Sequence, residues 1–148
     1  MLDYGCGIGR VALALPEAAW VLGLDVSAGM VAPARARAGA AKVHFEQANG
    51  RDLAGIPDAG ADLVLVIDIW PFVVLAGAET VDHLVGEFAR VLAPGGDLLF
   101  FNYSYRGDVG QDEADVRALA VRHGFTVQRA GERPFRIWDG VGFHLRRA

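Results

Sequence analysis

LDYGCGIGR, residues 2–10, carries an apolar run as far as Asp3 and then breaks into Gly5-Cys6-Gly7-Ile8-Gly9. A helix is expected to start near Arg10, and the next apolar run, WVLGLDVS at residues 20–27, reaches an acid, Asp25. Strand, glycine turn, helix and an acid closing the second strand form the arrangement by which an open α/β sheet holds an adenosine-bearing cofactor. Gly5 and Gly7 let the backbone turn sharply and approach a ligand with no Cβ in the way, and Gly9 lets the helix pack closely on the sheet. The N–H groups at the start of that helix favour a carboxylate. Asp25 can accept from both ribose hydroxyls, and Ser27 is suited to capping the following helix. The plainer readings are a glycine turn with no ligand and an acid that opens a turn. The two features in succession favour the cofactor site.

Beyond this motif, apolar runs at 43–45, 63–67 and 98–101 read as strands buried on both faces, with helical patterns between them. Residues 79–92 place Val81, Leu84, Val85, Phe88 and Leu92 at helical spacing before Pro94-Gly95-Gly96 ends the helix. Residues 112–123 form a second amphipathic helix, with Asp112 as candidate cap and Gly124 as stop. A helix over 27–38 is weaker, since Pro33 inside it costs about 3 kcal/mol unless the helix kinks or restarts there. Alternating strands and helices give a parallel sheet. At the end of the chain, FRIW (135–138) and VGFHL (141–145) flank Asp139-Gly140, a tight-turn signal that predicts an antiparallel C-terminal hairpin. With 148 residues, 53% of them hydrophobic, and no linker, the chain is expected to form a single domain over 1–148.

LDYGCGIGR, GLDVSAGM, ANGRDL, ADLVLVID and RVLAPGGDLLFF stand in the order and approximate spacing of the class I S-adenosylmethionine-dependent methyltransferases, and nearly the whole chain resembles that family. The resemblance implies a Rossmann-like, doubly wound α/β/α sheet of seven strands, mostly parallel with an antiparallel C-terminal strand. S-adenosylmethionine would lie over the carboxyl ends of the first strands. The cofactor contacts it implies are Asp3, Gly5, Cys6, Gly7, Gly9, Arg10, Asp25, Val26, Asn49, Gly50, Arg51 and Asp68. The family commonly has an acid where this chain has Asn49. The Asn49 side-chain oxygen can still accept from the adenine amino group and Gly50 can offer its N–H, whereas the plainer reading is an Asn-Gly turn. The family also has an N-terminal helical segment before the first strand. Here that strand begins at Met1, so the expectation is a truncated member lacking the lid.

The fourth strand ends at Asp68, followed by Ile69-Trp70-Pro71-Phe72, where the family places the transferable methyl group. Asp68 is the candidate catalytic residue, either as a base or as a partner for the cofactor's ammonium group. Trp70 and Phe72 either wall the site and face the sulfonium or pack beneath a further segment. Asn102-Tyr103-Ser104-Tyr105-Arg106 lies at the same sheet edge, either orienting a substrate or forming a solvated loop.

A net charge of −4 with no basic stripe argues against nucleic acid as the main substrate, which makes a small-molecule methyl acceptor the expected partner. The lone cysteine, Cys6, excludes an internal disulfide and fills a tight loop more readily than it acts as a nucleophile. His44, His83, His123 and His144 have no metal-ligand spacing, so no metal is expected. No signal peptide and no membrane-spanning run are expected, and a cytoplasmic location is expected with them. Nothing indicates an oligomeric state. Two alternatives stand beside a methyltransferase: a non-catalytic S-adenosylmethionine-binding module, and an NAD(P)-dependent oxidoreductase. The hairpin and the GxGxG spacing disfavour the oxidoreductase.

Overall fold

The computed structural model describes residues 1–15, 20–39, 42–137 and 140–148. Strands β1 (Leu2–Tyr4), β2 (Val21–Asp25), β3 (Val43–Gln47), β4 (Ala61–Ile67) and β5 (Leu92–Phe101) run parallel, while β7 (Gly142–Arg147) runs antiparallel to both β5 and β6 (Phe125–Glu132). The sheet order is β3-β2-β1-β4-β5-β7-β6. This is the Rossmann-like sheet with a reversed C-terminal strand. Helices α1 (Arg10–Ala14) and α2 (Ala28–Ala38) follow β1 and β2, α3 (Trp70–Ala76) and α4 (Ala78–Val91) join β4 to β5, and α5 (Val109–His123) leads into β6.

Strand alternation sorts the side chains into two cores, one on each face. Leu2, Tyr4, Leu24, Val64, Val66, Leu98 and Phe100 point toward α4 and α5, where Leu84, Val85, Phe88, Val116 and Leu119 meet them. Tyr4 packs edge-on against Phe88 with ring centroids 5.2 Å apart. Val21 and Phe45 point the other way, toward Ala12, Val31 and Ala34 of α1 and α2. The central strand β1 has only three residues, all buried, yet it pairs with β2 and β4 at once. Met1 extends its hold, because its terminal amine donates to the Trp20 carbonyl at 2.9 Å and its own carbonyl accepts from Leu22 N–H.

Several local expectations change. The hairpin's first strand is Phe125–Glu132 and not FRIW; Phe135 and Ile137 lie in the connection, while Trp138 and Asp139 fall outside the described residues. The longer run from Phe125 pairs along β7 with two register irregularities, while Phe135, Arg136 and Ile137 pair with no strand among the described residues. Asp112 is not the cap of α5. Asp108 is, accepting from Gln111 N–H at 2.9 Å, while the buried Asp112 carboxylate turns inward to accept from Ser104 and Arg106. Ser27 occupies the N-cap position of α2 without a side-chain cap bond, and α2 runs unbroken through Pro33. The helix over 79–92 is found as α4, ending at Val91, and the chain passes directly into β5. Pro94, Gly95 and Gly96 then sit in a register break of the β4–β5 ladder, with Gly95 at φ +78°.

Candidate functional site

The order β2-β1-β4 reverses the direction of strand succession at β1, and the crevice outside the carboxyl ends at such a point is where open α/β sheets bind ligands. A cleft of about 210 Å³ lies there, lined by Tyr4, Gly5, Asp25, Val26, Gly50 and Ile69, with Phe72, Val73 and Thr80 closing its far side.

The glycine loop is held from below. Leu24 carbonyl accepts from Gly5 N–H at 2.7 Å and from Cys6 N–H at 2.9 Å, and Asp25 Oδ2 accepts from Gly7 N–H at 2.9 Å. The other oxygen, Asp25 Oδ1, accepts from Ser27 N–H at 2.9 Å. Each carboxylate oxygen keeps a lone pair, so this acid is fixed in place by the backbone and still open on its cleft side. The three loop glycines have different reasons. A Cβ on Gly5 would stand 2.6 Å from Ile69, and one on Gly9 would stand 2.4 Å from the Phe45 ring. At Gly7, with φ +55°, a Cβ would meet nothing within 4 Å and would project into open space. Gly9 therefore serves packing, and Gly7 keeps the approach to the loop clear.

Beneath the loop, Asp3 is only 2% exposed. Ala12 N–H donates to its carboxylate, but Oδ2 has no hydrogen-bond partner among the described residues. Burial, with the charge of Asp25 adding to it, pushes this carboxyl up to about 6. An orphaned buried carboxylate oxygen is costly alone and calls for a cation or donor. The helix that was expected to aim its N–H groups at a ligand is only five residues long, and one of those groups is taken by Asp3. Cys6 packs in the loop, its thiol pushed up to about 12 by burial and by the carboxylates of Asp3 and Asp25. It is an un-ionised packing residue.

Across the cleft, Gly50 at φ +74° sits so close to Val26 that a Cβ would stand 2.8 Å from its side chain. Asn49 is turned into its own loop: Oδ1 accepts from Arg51 N–H at 2.7 Å and from Asp52 N–H at 3.1 Å, and Nδ2 donates to Asp52. Both of these bonds to its oxygen are made within the loop, the geometry of an Asn turn. The side chains of Arg10 and Arg51 are exposed and line no part of the cleft.

The fourth-strand segment divides. Trp70 is fully buried against Phe88, Phe100 and Tyr103 and walls nothing, because α3 starts here and turns it into the core. Phe72, two residues on, is 58% exposed, lines the cleft and meets Tyr105 edge-on at 6.0 Å. Asp68 is not among the residues lining the cleft; it stands in an adjoining hollow with Ile67, Phe101 and Phe135. Of the two tyrosines past β5, Tyr103 is buried and Tyr105 exposed at the rim. Two features had no counterpart in the sequence reading. Helix α3 carries only a Pro near its start as a signal, and Asn102 donates through Nδ2 to Asp68 Oδ1.

A family model described as a methyltransferase domain matches residues 2–100. The chain belongs to the class I S-adenosylmethionine-dependent methyltransferases. The mitochondrial citrate synthase-lysine N-methyltransferase of Pongo abelii is 30% identical over 159 residues, covering 92% of this chain and 62% of that protein. The malonyl-[acyl-carrier protein] O-methyltransferase of Enterobacter lignolyticus (strain SCF1) is 36% identical over 101 residues, covering 68% of this chain and 37% of its own length. The chain thus spans less than two thirds of these relatives. Among solved structures, the magnesium protoporphyrin IX methyltransferase from Synechocystis PCC 6803 with bound SAM superposes with a TM-score of 0.75 at 23% identity, covering 99% of this chain and 69% of that one. S-adenosylmethionine is the cofactor of this methyltransferase fold, and the open side of Asp25, the clear approach at Gly7 and the orphaned Asp3 oxygen fit a ribose, a close-lying chain and an ammonium group. Among the described residues no cluster of His, Cys, Asp or Glu is arranged for a metal ion, and no helix is long and apolar enough to cross a membrane.

Proposed function

We propose that the chain transfers a methyl group from S-adenosylmethionine to a small-molecule acceptor. The observation that carries this reading is Asp25, clasped by Gly7 and Ser27 N–H groups and open toward the cleft. S-adenosylmethionine supplies a methyl group on a sulfonium centre, and transfer asks of the protein an in-line approach, exclusion of water and, for some acceptors, a base. Asp25 binds the ribose hydroxyls. Val26, Gly50 and Ile69 enclose the base, with the Gly50 backbone offering its N–H. Asp3 faces the ammonium group, which settles its unpaired oxygen. Asp68, just past β4, accepts the acceptor's proton. The net charge of −4 supports an acceptor other than nucleic acid, and the single reduced cysteine suits a cytoplasmic setting. The chain works as one domain in this reading.

A protein acceptor is the second reading, favoured by the lysine methyltransferase among the relatives and by exposed Phe72, Leu75 and Tyr105 near the cleft. Incubating the chain with methyl-labelled S-adenosylmethionine and separate small-molecule and protein fractions of a lysate tests both. Label in the small-molecule fraction is expected. Label confined to the protein fraction would overturn the acceptor class, and S-adenosylhomocysteine binding with no label in either would leave a binding module.

A further inference from the structure

Ala48 and Gly50 line the cleft, yet they belong to a segment, residues 48–60, that contains neither helix nor strand. Its start is tied to β2, where Ala48 N–H donates to the Asp25 carbonyl at 2.9 Å. Further along, two side chains of α4 hold it. Glu87 Oε2 accepts from Leu53 N–H at 2.8 Å. Arg90 donates to the Leu53 carbonyl at 2.9 Å, to the Ile56 carbonyl at 2.8 Å and to the Asp58 carboxylate at 2.8 Å. The two side chains also join each other twice, Arg90 Nε to Glu87 Oε1 at 2.8 Å and Nη2 to Oε2 at 2.9 Å. All five guanidinium N–H groups are thereby used. The Arg90 carbonyl adds a bond from Ala59 N–H at 3.0 Å, and Leu53 is buried beside the pair.

This anchor is firmly connected to the cleft. Asn49 Oδ1 accepts from Arg51 and Asp52 N–H, Asn49 Nδ2 donates to Asp52 Oδ1, and that same oxygen accepts from Ala54 N–H at 3.1 Å. These bonds close residues 49–54 into one unit, with Gly50 three positions from Leu53. Gly50 N–H has no hydrogen-bond partner among the described residues, so it is available to a ligand. Neither Glu87 nor Arg90 is among the residues lining the cleft. Exposed ion pairs contribute little. This one is shielded, its side chains 15% and 29% exposed, and it acts through the backbone groups it holds.

We propose that Glu87 and Arg90 are positioning residues for the cofactor's base: the pair fixes where Gly50 stands and thereby sets the chain's selectivity for adenine. The inference rests on the reading in which the Gly50 N–H serves the base, and it adds the device that controls that contact. In the intact chain the N–H meets the lone pair of adenine N1. Hypoxanthine carries a hydrogen on N1, so the same N–H would face a donor and stay unpaired. A segment released from α4 no longer holds the N–H against either base, and the distinction between them fades.

The test is calorimetric titration of the full chain with S-adenosylhomocysteine and with its hypoxanthine analogue, S-inosylhomocysteine. Wild type is expected to favour the adenine ligand by about five- to a hundredfold, the range for leaving a buried donor unpaired. Arg90→Ala should weaken S-adenosylhomocysteine by about two- to tenfold, the loss of one neutral hydrogen bond, and reduce the preference by at least that factor. Glu87→Gln keeps the side chain's shape, removes its charge and should reduce the preference in the same direction; it carries the test if Arg90→Ala does not fold. Arg146→Ala removes an ion pair with Asp97, where β5 and β7 meet, and should leave the preference at its wild-type value. A preference unchanged in the folded variants of the pair, or one reduced equally by Arg146→Ala, overturns the proposal and leaves the cofactor reading standing. Equal binding of the two ligands by wild type removes the Gly50 contact and the proposal with it. A folded wild-type chain that binds neither brings down the methyltransferase reading as well.

Discussion

Replacing Asp25 by alanine separates the two tasks assigned to its carboxylate. Toward the protein it accepts from Gly7 and Ser27 N–H groups, each at 2.9 Å, and the remaining lone pairs on its cleft side are the ones proposed to bind the ribose. Hydrogen bonds to a charged group contribute about 1.5–3 kcal/mol, so loss of the ribose pair should weaken S-adenosylhomocysteine binding by roughly ten- to a hundredfold. The cost to folding should be smaller, about 1 kcal/mol, because the two N–H groups it releases are only partly buried and water can reach them. Asp25→Asn should be no gentler than alanine. One of its two polar atoms is an NH2, which would face a backbone N–H in place of the oxygen now there. Calorimetric titration with S-adenosylhomocysteine, paired with a thermal melt, reads both effects. An affinity within twofold of wild type in a folded Asp25→Ala chain would remove Asp25 from the site.

Asp3→Asn should raise the stability of the ligand-free chain near neutral pH and weaken its cofactor binding. With the folded carboxyl at about 6 and the ordinary value at 3.8, the folded chain holds this proton more tightly. The contribution of Asp3 to stability should therefore be greatest below about pH 4, decline between about pH 4 and 6 by roughly 3 kcal/mol, and level off above, opposite in sign to that of Glu87, whose carboxyl Arg90 holds at about 2. Denaturant melts across pH should show that decline as the difference between wild type and Asp3→Asn; identical profiles would contradict the burial argument. Gly9→Ala drives a Cβ into Phe45 and should cost about 2–4 kcal/mol, whereas Gly7→Ala meets only open space and should cost about 1 kcal/mol while abolishing binding. A reversed order of the two melts would refute the division of roles. Asn102→Ala should lose about 1–3 kcal/mol and Asn102→Gly should recover part of it by tolerating the left-handed backbone; equal melts would show that φ at this position carries no strain.

What could be read in the sequence is what local chemistry dictates. Gly5, Gly7, Gly9 and Asp25 fall within two short segments, and the backbone bonds that tie them together join β1 and β2, neighbours in the sheet. The helix now seen as α4 announced itself through the spacing of Val81, Leu84, Val85 and Phe88. Features that depend on which partner wins were less accessible. Asp108 and Asp112 are both plausible caps, and only the inward pull of Ser104 and Arg106 on Asp112 decides between them. Phe135 and Ile137 are strand-like residues, but the β7 edge they would need is taken by the run from Phe125. Trp70 and Phe72 look alike in sequence, and the onset of α3 between β4 and α4 sends one into the core and leaves the other at the cleft. Asn102 reaches Asp68 from 34 residues away, a contact that the alignment of strand ends creates.

We propose that the glycine loop and Asp25 hold S-adenosylmethionine. The most direct test is a calorimetric titration of the folded 148-residue chain with S-adenosylhomocysteine. Saturable binding at one molecule per chain is expected, weakened at least tenfold in Asp25→Ala. A wild-type chain that is folded by circular dichroism and takes up no S-adenosylhomocysteine would contradict it.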